Sequence, residues 1–282
     1  MKNYKSFIIR IEPFLPEFIS GVLWTLDITG INEEEPYLKI FTAEDSSLNV
    51  ARIEALLRNL AEQNLISDFE ISEEIIEERN WNEDWEKTIN VIEVSDKIVI
   101  KPTFRTYNAK EGQLVLTIDP KMSFGTGEHQ TTKLMLQMVE KYVRPDFSVI
   151  DVGTGTGVLA IAAVKLGAKR AIAVDNDEWC YDNGIENCEL NNVSGKVQIL
   201  FGEVKDVSEK DFDLVIANIN KNILMDIAED LTGCLGKSGL LILSGLLDTD
   251  EDDIIKRYSA LSLEVTDKKQ MNEWISLVFR YK

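Results

Sequence analysis

Cysteine is scarce in this 282-residue chain, and what there is does not pair. Cys180, Cys188 and Cys234 are an odd number with neither C-x-x-C spacing nor neighbouring histidines, so no disulfide framework or zinc site is indicated and a reducing compartment fits. No stretch approaches 18 apolar residues, and Met1 to Ile11 has no long apolar core of a secretion signal. A soluble, cytoplasmic protein is expected. Basic residues are also few: 30 Lys and Arg against 49 Asp and Glu leave a formal charge of −19. That balance argues against a broad phosphate-binding surface, and hence against direct nucleic-acid binding, and it suits a basic partner as well as solubility. There is no internal repeat or low-complexity tract. What remains is an ordinary globular composition, 44% hydrophobic, enough for one large or two modest domains.

The chain is organised around residues 149–177. Val149 to Val152 reads as a strand, Val158 to Leu166 carries apolar residues at helical spacing, and between them Gly153, Gly155 and Gly157 alternate through a sharp turn. Such glycines let the backbone approach a ligand without Cβ atoms in the way. A second apolar run, Ala171 to Val174, ends at Asp175. In a parallel sheet the ligand lies beyond the carboxyl ends of the strands, where both the turn and Asp175 fall. Asp175 suits a pair of ribose hydroxyls, and the whole suits an adenosine. A dinucleotide fold would place a glycine where this chain has Val158, so the match to G-x-G-x-x-G is imperfect.

Before this core, strands at Ser6 to Ile11, Tyr37 to Phe41 and Leu65 to Ile71 alternate with helices at Pro13 to Leu26 and at Ser46 to Gln63, the second opened by a serine cap. This predicts a small ferredoxin-like α/β domain over residues 1–72, with its fourth strand not evident and a role in substrate recognition. Residues 73–89 read as a charge-rich linker helix. Its Trp81 and Trp85 share one face, either docking the helix or lining a cleft. Residues 90–282 form the second domain. It begins with strands at Val91 to Val94, Lys97 to Lys101 and Leu114 to Ile118. A loop rich in Gly and Thr follows, including Gly127 and Thr132, and is expected to cover the cofactor. His129, the only histidine, reads either as a general base or as a hydrogen-bonded structural residue, the second being favoured. Asn218 ends a further strand. The chain closes with Leu263 to Lys268 and Ile275 to Arg280 as an antiparallel pair. A doubly wound sheet ending in such a pair resembles the class I S-adenosylmethionine-dependent methyltransferases, whereas a nicotinamide dehydrogenase, the rival reading, would end on a parallel strand.

Phe-Gly-Thr-Gly-Glu-His-Gln-Thr-Thr (124–132), Asp-Val-Gly-Thr-Gly-Thr-Gly (151–157), Ala-Val-Asp-Asn-Asp (173–177), Ala-Asn-Ile (217–219) and Leu-Ser-Gly-Leu-Leu (243–247) together resemble the ribosomal protein L11 methyltransferase family, PrmA. The resemblance implies S-adenosyl-L-methionine as cofactor, contacted by Thr132, Gly153, Asp175 and Asn218, with Gly155 and Gly127 in the surrounding loops. It implies a monomeric enzyme that methylates lysine side chains, the N-terminal amine, or both, on a basic large-subunit ribosomal protein. The alternative is a different protein or a small-molecule amine as acceptor. Asn218 is expected either to accept a hydrogen bond from the incoming amine or to fix the methyl donor. The chain departs from the family pattern at Asn220-Lys221 and at Lys121-Met-Ser, which bear on acceptor choice.

Overall fold

The computed structural model describes residues 4–43, 46–76, 89–121 and 123–282. The chain divides into two compact units, Met1–Glu86 and Lys87–Lys282.

The first unit runs β1 (Tyr4–Glu12), α1 (Pro16–Leu23), β2 (Gly30–Glu34), β3 (Tyr37–Ala43), α2 (Val50–Glu62) and β4 (Asp68–Ile76). Its sheet has the order β2-β3-β1-β4 with every pair antiparallel, which is the ferredoxin-like arrangement. The fourth strand is β2, Gly-Ile-Asn-Glu-Glu at the sheet edge. Three of its five residues are exposed and charged or polar, which blunts an edge against further pairing and also removes the alternation by which a strand is read. Phe7, Ile9, Leu38 and Ile40 project from β1 and β3 into one core with Ile19, Leu23, Ile53 and Leu57 of the helices. Each such buried side chain contributes about 1.5–3 kcal/mol.

Two boundaries differ from the sequence reading. Asn49, not Ser46, caps α2, its side chain accepting from the Arg52 amide at 3.1 Å, while the Ser46 hydroxyl donates to Asp27 at 2.7 Å in the preceding turn. Strand β4 also runs on through Ile76, so residues 73–76 extend the sheet instead of opening a linker helix. Every residue of β4 from Asp68 to Ile76 pairs with β1, and that ladder outweighs the helical charge pattern. The rest of the expected linker, with Trp81 and Trp85, lies outside the described residues.

The second unit opens with a three-stranded sheet, β5 (Ile92–Glu93), β6 (Ile98–Lys101) and β7 (Leu114–Thr117). Its main sheet is built from β8 (Ser148–Val152), β9 (Arg170–Asp175), β10 (Val197–Phe201), β11 (Phe212–Asn218), β12 (Leu235–Leu247), β13 (Leu263–Met271) and β14 (Trp274–Tyr281). These stand in the order β10-β9-β8-β11-β12-β14-β13. The first five are parallel and β14 is antiparallel to both neighbours. Helices α3 (Gln130–Tyr142), α4 (Val158–Lys165), α5 (Glu178–Leu190), α6 (Lys221–Asp226), α7 (Ala228–Cys234) and α8 (Glu251–Ser259) complete the unit. Helices α6 and α7 follow one another directly, meeting at Ile227.

Successive residues of the central strands enter two different cores. Val149, Ala171, Ala173, Leu214 and Ile216 pack on one face, and Ile150, Val152, Ile172, Val174, Val215 and Ala217 on the other. A sheet buried on both faces needs apolar residues at nearly every position, which is why these strands read as continuous runs. Strand order reverses between β8 and β11, leaving a crevice at their carboxyl ends.

Candidate functional site

Gly153 and Gly155 follow β8 with φ of +70° and +56°, values that L side chains rarely adopt. A Cβ on Gly153 would stand 2.4 Å from Ile219 Cγ2, and one on Gly155 would stand 2.2 Å from the Phe124 carbonyl oxygen. Close approach of two segments therefore demands glycine at both positions. The second of those segments is the Phe124-Gly-Thr-Gly127 loop. The Thr156 amide donates to the Phe124 carbonyl at 2.9 Å, and the Thr156 hydroxyl donates to the Gly125 carbonyl at 2.9 Å. Loop and glycine turn are one hydrogen-bonded body. Gly127 sits at φ +89° against Ile100 of the small sheet, so packing alone accounts for its identity.

Asp175 closes the turn from the side. Its Oδ2 accepts from the Gly155 amide at 2.8 Å and its Oδ1 from the Asp177 amide at 3.1 Å. A carboxylate offers about four acceptor sites, so two remain for a ligand. Beside it lies a cavity of about 310 Å³, lined by Gly153, Val174, Asp175, Gly202, Glu203 and Ile219 among others. That size falls at the lower end of small-molecule sites and accommodates a nucleoside.

Asn218 is the last residue of β11, in register with Ser244 of β12, and Thr132 lies in the first turn of α3. Both are buried, and Thr132 Oγ1 and Asn218 Oδ1 have no hydrogen-bond partner. A buried polar atom without a partner costs about 1–3 kcal/mol and points to a donor that completes it.

His129 occupies the N-cap of α3, its Nδ1 accepting from the Thr131 amide at 3.3 Å. Its ring stacks edge-on against Trp274 at 4.7 Å between centroids, with Phe124 at 5.6 Å. This is the structural reading of the histidine. The two departures from the family pattern have local partners. Asn220 caps α6, and Lys221 pairs with Asp253 at 2.6 Å and with Asp250 at 3.2 Å, while Lys121 pairs with Glu186.

Two features escape a reading of the sequence. Asp151 lies on the β8 face that packs against α3 and α4, wholly buried, with Oδ2 accepting from the Thr154 hydroxyl at 2.6 Å and Oδ1 unpartnered. Burial lifts its carboxyl to about 7, opposed by the Thr154 hydrogen bond and aided by the charge of Asp175. Asn183, Asn187 and Asn191 form a stripe at i, i+4, i+8 along α5. Asn191 exchanges hydrogen bonds with both backbone groups of Thr117, at 3.0 and 2.6 Å, as a neighbouring strand would. Asn187 accepts from the Asp119 amide and donates to the Thr156 carbonyl, both at 2.9 Å, and Asn183 donates to the Asp119 carbonyl at 2.9 Å. The stripe ties the start of the loop to the glycine turn. The spacing was visible in the sequence, but asparagine on a helix face reads as solvated until its partners are known.

Five parallel strands, an antiparallel strand set inside the far edge, a glycine turn after β8 and an acid at the end of β9 define a Rossmann-like methyltransferase of class I, for which S-adenosylmethionine is the cofactor. The chain belongs to the ribosomal protein L11 methyltransferase (PrmA) family, whose model matches residues 27–282. A ribosomal protein L11 methyltransferase of Caldicellulosiruptor saccharolyticus is 38% identical over 234 residues, covering 82% of this chain and 76% of that one. Its counterpart in Clostridium perfringens is 31% identical over 297 aligned positions, covering 94% and 95%. The crystal structure of a ribosomal protein L11 methylase from Lactobacillus delbrueckii subsp. bulgaricus superposes with a TM-score of 0.65 at 34% identity, covering 69% of this chain and all of that one. Among the described residues no helix is long and apolar enough to cross a membrane.

Proposed function

We propose that this protein transfers methyl groups from S-adenosylmethionine to amines of ribosomal protein L11, acting on lysine side chains, the N-terminal amine, or both, as a cytoplasmic monomer. The observation that supports the site assignment is the buried, unpartnered oxygen of Asn218 at the carboxyl end of β11, with Thr132 Oγ1 in the first turn of α3 likewise unpartnered. They fit the cofactor's amino acid end, whose ammonium is a donor only. Asp175 would take the ribose hydroxyls. Gly153 and Gly155 would admit the ligand to the backbone, and Gly127 belongs to the loop that covers it. When bound, S-adenosylmethionine supplies a methyl group on a sulfonium that is already an activated leaving group.

The protein's task is then orientation. Holding an amine in line with the methyl supplies about 7–11 kcal/mol, so no strong base is required, in keeping with the capping role of His129. A lysine acceptor, ordinarily near pKa 10.4, must first lose its proton, which a dry crevice favours. The Asn218 amide oxygen would accept from the incoming amine or hold the donor, from a strand end in register with Ser244 of β12, one residue beyond the last pair with β8. The test is a methylation assay on L11 read by mass spectrometry, with S-adenosylmethionine affinity measured in parallel. Asn218→Ala is expected to slow turnover about 100-fold, the scale of a misplaced reacting group. If affinity and turnover both survive, the residue has no such role.

A further inference from the structure

The first unit contains a second cavity, of about 560 Å³, at the end of its sheet. Phe14 and Phe69, both half-buried, contribute apolar walls, and Arg10, Glu12, Asp68 and Glu70 contribute charge. Strands β1 and β4 set these four in two cross-strand pairs. Arg10 faces Glu70 and bonds it at 3.3 Å, but Glu12 faces Asp68, acid directly opposite acid. Like charges in that position destabilise a sheet. Neither acid has a cationic partner among the described residues. Asp68 Oδ1 accepts from the Phe69 amide at 2.8 Å and its other oxygen is free, as is the Glu12 carboxylate.

The surrounding charge points the same way. Residues 1–86 hold 19 acids and 7 bases, a net charge of −12, whereas the remaining 196 residues carry −7. The unit without cofactor motifs is the strongly acidic one. We infer that the groove at the ends of β1 and β4 receives a lysine or arginine side chain of the acceptor protein. Phe14 and Phe69 lean on the core face and Glu12 and Asp68 on the other, so the methylene stem passes the strand ends beside the two rings and the charged head sits by Glu12 and Asp68, relieving their repulsion. Long basic side chains bury their stems in this way while keeping the head on a carboxylate. The inference rests on the reading that the first unit recognises a protein acceptor.

The experiment uses the full-length enzyme with L11 as substrate. Glu12→Lys combined with Asp68→Lys is expected to raise KM for L11 at least tenfold while kcat, S-adenosylmethionine affinity and melting temperature hold. Both positions are exposed, so the fold survives the change. Glu54→Lys combined with Glu62→Lys makes the same change of charge on α2 of the same unit and is expected to raise KM less than threefold. Equal effects from the two double variants would mean a general attraction to an acidic unit, overturning the groove but not recognition by the unit. No effect from the groove variant with a large one from α2 would move the docking face to that helix. An unchanged KM accompanied by an altered sedimentation coefficient would give the groove to a second copy of this chain and sink the inference. No effect from either pair also removes the groove, and deletion of the whole unit then decides whether recognition lies in it at all.

Discussion

The two units contain the same materials and use them in opposite ways. Strand β3 of the first unit alternates half-buried and buried residues along its length, one face for the core and one not. Strand β11 of the second is buried at six of seven positions, because helices cover its sheet on both sides. In the second unit, only the strand ends are left for a ligand, and the glycine turn, Asp175 and Asn218 are all there. In the first, the chain retains net charge on strand positions that a two-sided core would not tolerate. Chemistry needs a site held from several directions at once; recognition of a large partner needs an accessible charged surface. The proposed division of labour, acceptor recognition in the first unit and chemistry in the second, would follow from how many faces each sheet buries.

Removing the first unit tests that division most severely. A variant beginning at Lys87, after the last residue of the first unit, should bind S-adenosylmethionine as the whole chain does yet lose nearly all methylation of L11. Full methylation by the shortened enzyme would place recognition in the second unit. Within the second unit the largest effect on affinity belongs to Asp175. Hydrogen bonds to a charged acceptor are worth roughly 1.5–3 kcal/mol each, so Asp175→Ala should weaken cofactor binding at least tenfold by calorimetry. Unaltered affinity would show that the ribose is held by other groups.

Asp151 gives the core a pH dependence that the first unit, with no wholly buried acid among its described residues, lacks. Its folded carboxyl stands near 7 against an ordinary 3.8. Below about pH 4 both folded and unfolded states hold the proton and the group contributes nothing. Between about pH 4 and 7 the unfolded state gives it up more readily, so stability falls as pH rises, and above 7 the full penalty persists. Asp151→Asn, which keeps the shape of the protonated acid, should therefore melt at higher temperature than the parent at pH 8 and alike at pH 4. An identical pH profile in the two proteins would show that the carboxyl is not strained by burial. The smallest effect is expected from His129→Ala: loss of a helix cap costs about 1 kcal/mol in a denaturant melt, with turnover within a factor of three. A collapse of turnover at full stability would restore the general-base reading.

What the sequence determined by itself was whatever has a local cause. Glycines at 153, 155 and 157 between an apolar run and a helical stripe make a tight turn, and an acid at the end of the next apolar run lies at the same sheet edge; an adenosine site follows from those few residues, and the methyl donor from the resemblance carried by the longer motifs. Helix and strand periods likewise come from side chains within one turn or one pleat. The tertiary structure decided what depends on partners far along the chain. Strand β2 exists because β3 lies beside it, not because Gly-Ile-Asn-Glu-Glu prefers to be extended. Asp151 became a raised carboxyl only when α3 and α4 covered its face of the sheet. The asparagines along α5 acquired their role from backbone 64 to 74 residues away, in β7 and the loop that follows it. Glu12 and Asp68, 56 residues apart, were two ordinary acids until the register of β1 and β4 set them face to face. Burial and register are set by the whole fold, and no local pattern encodes them.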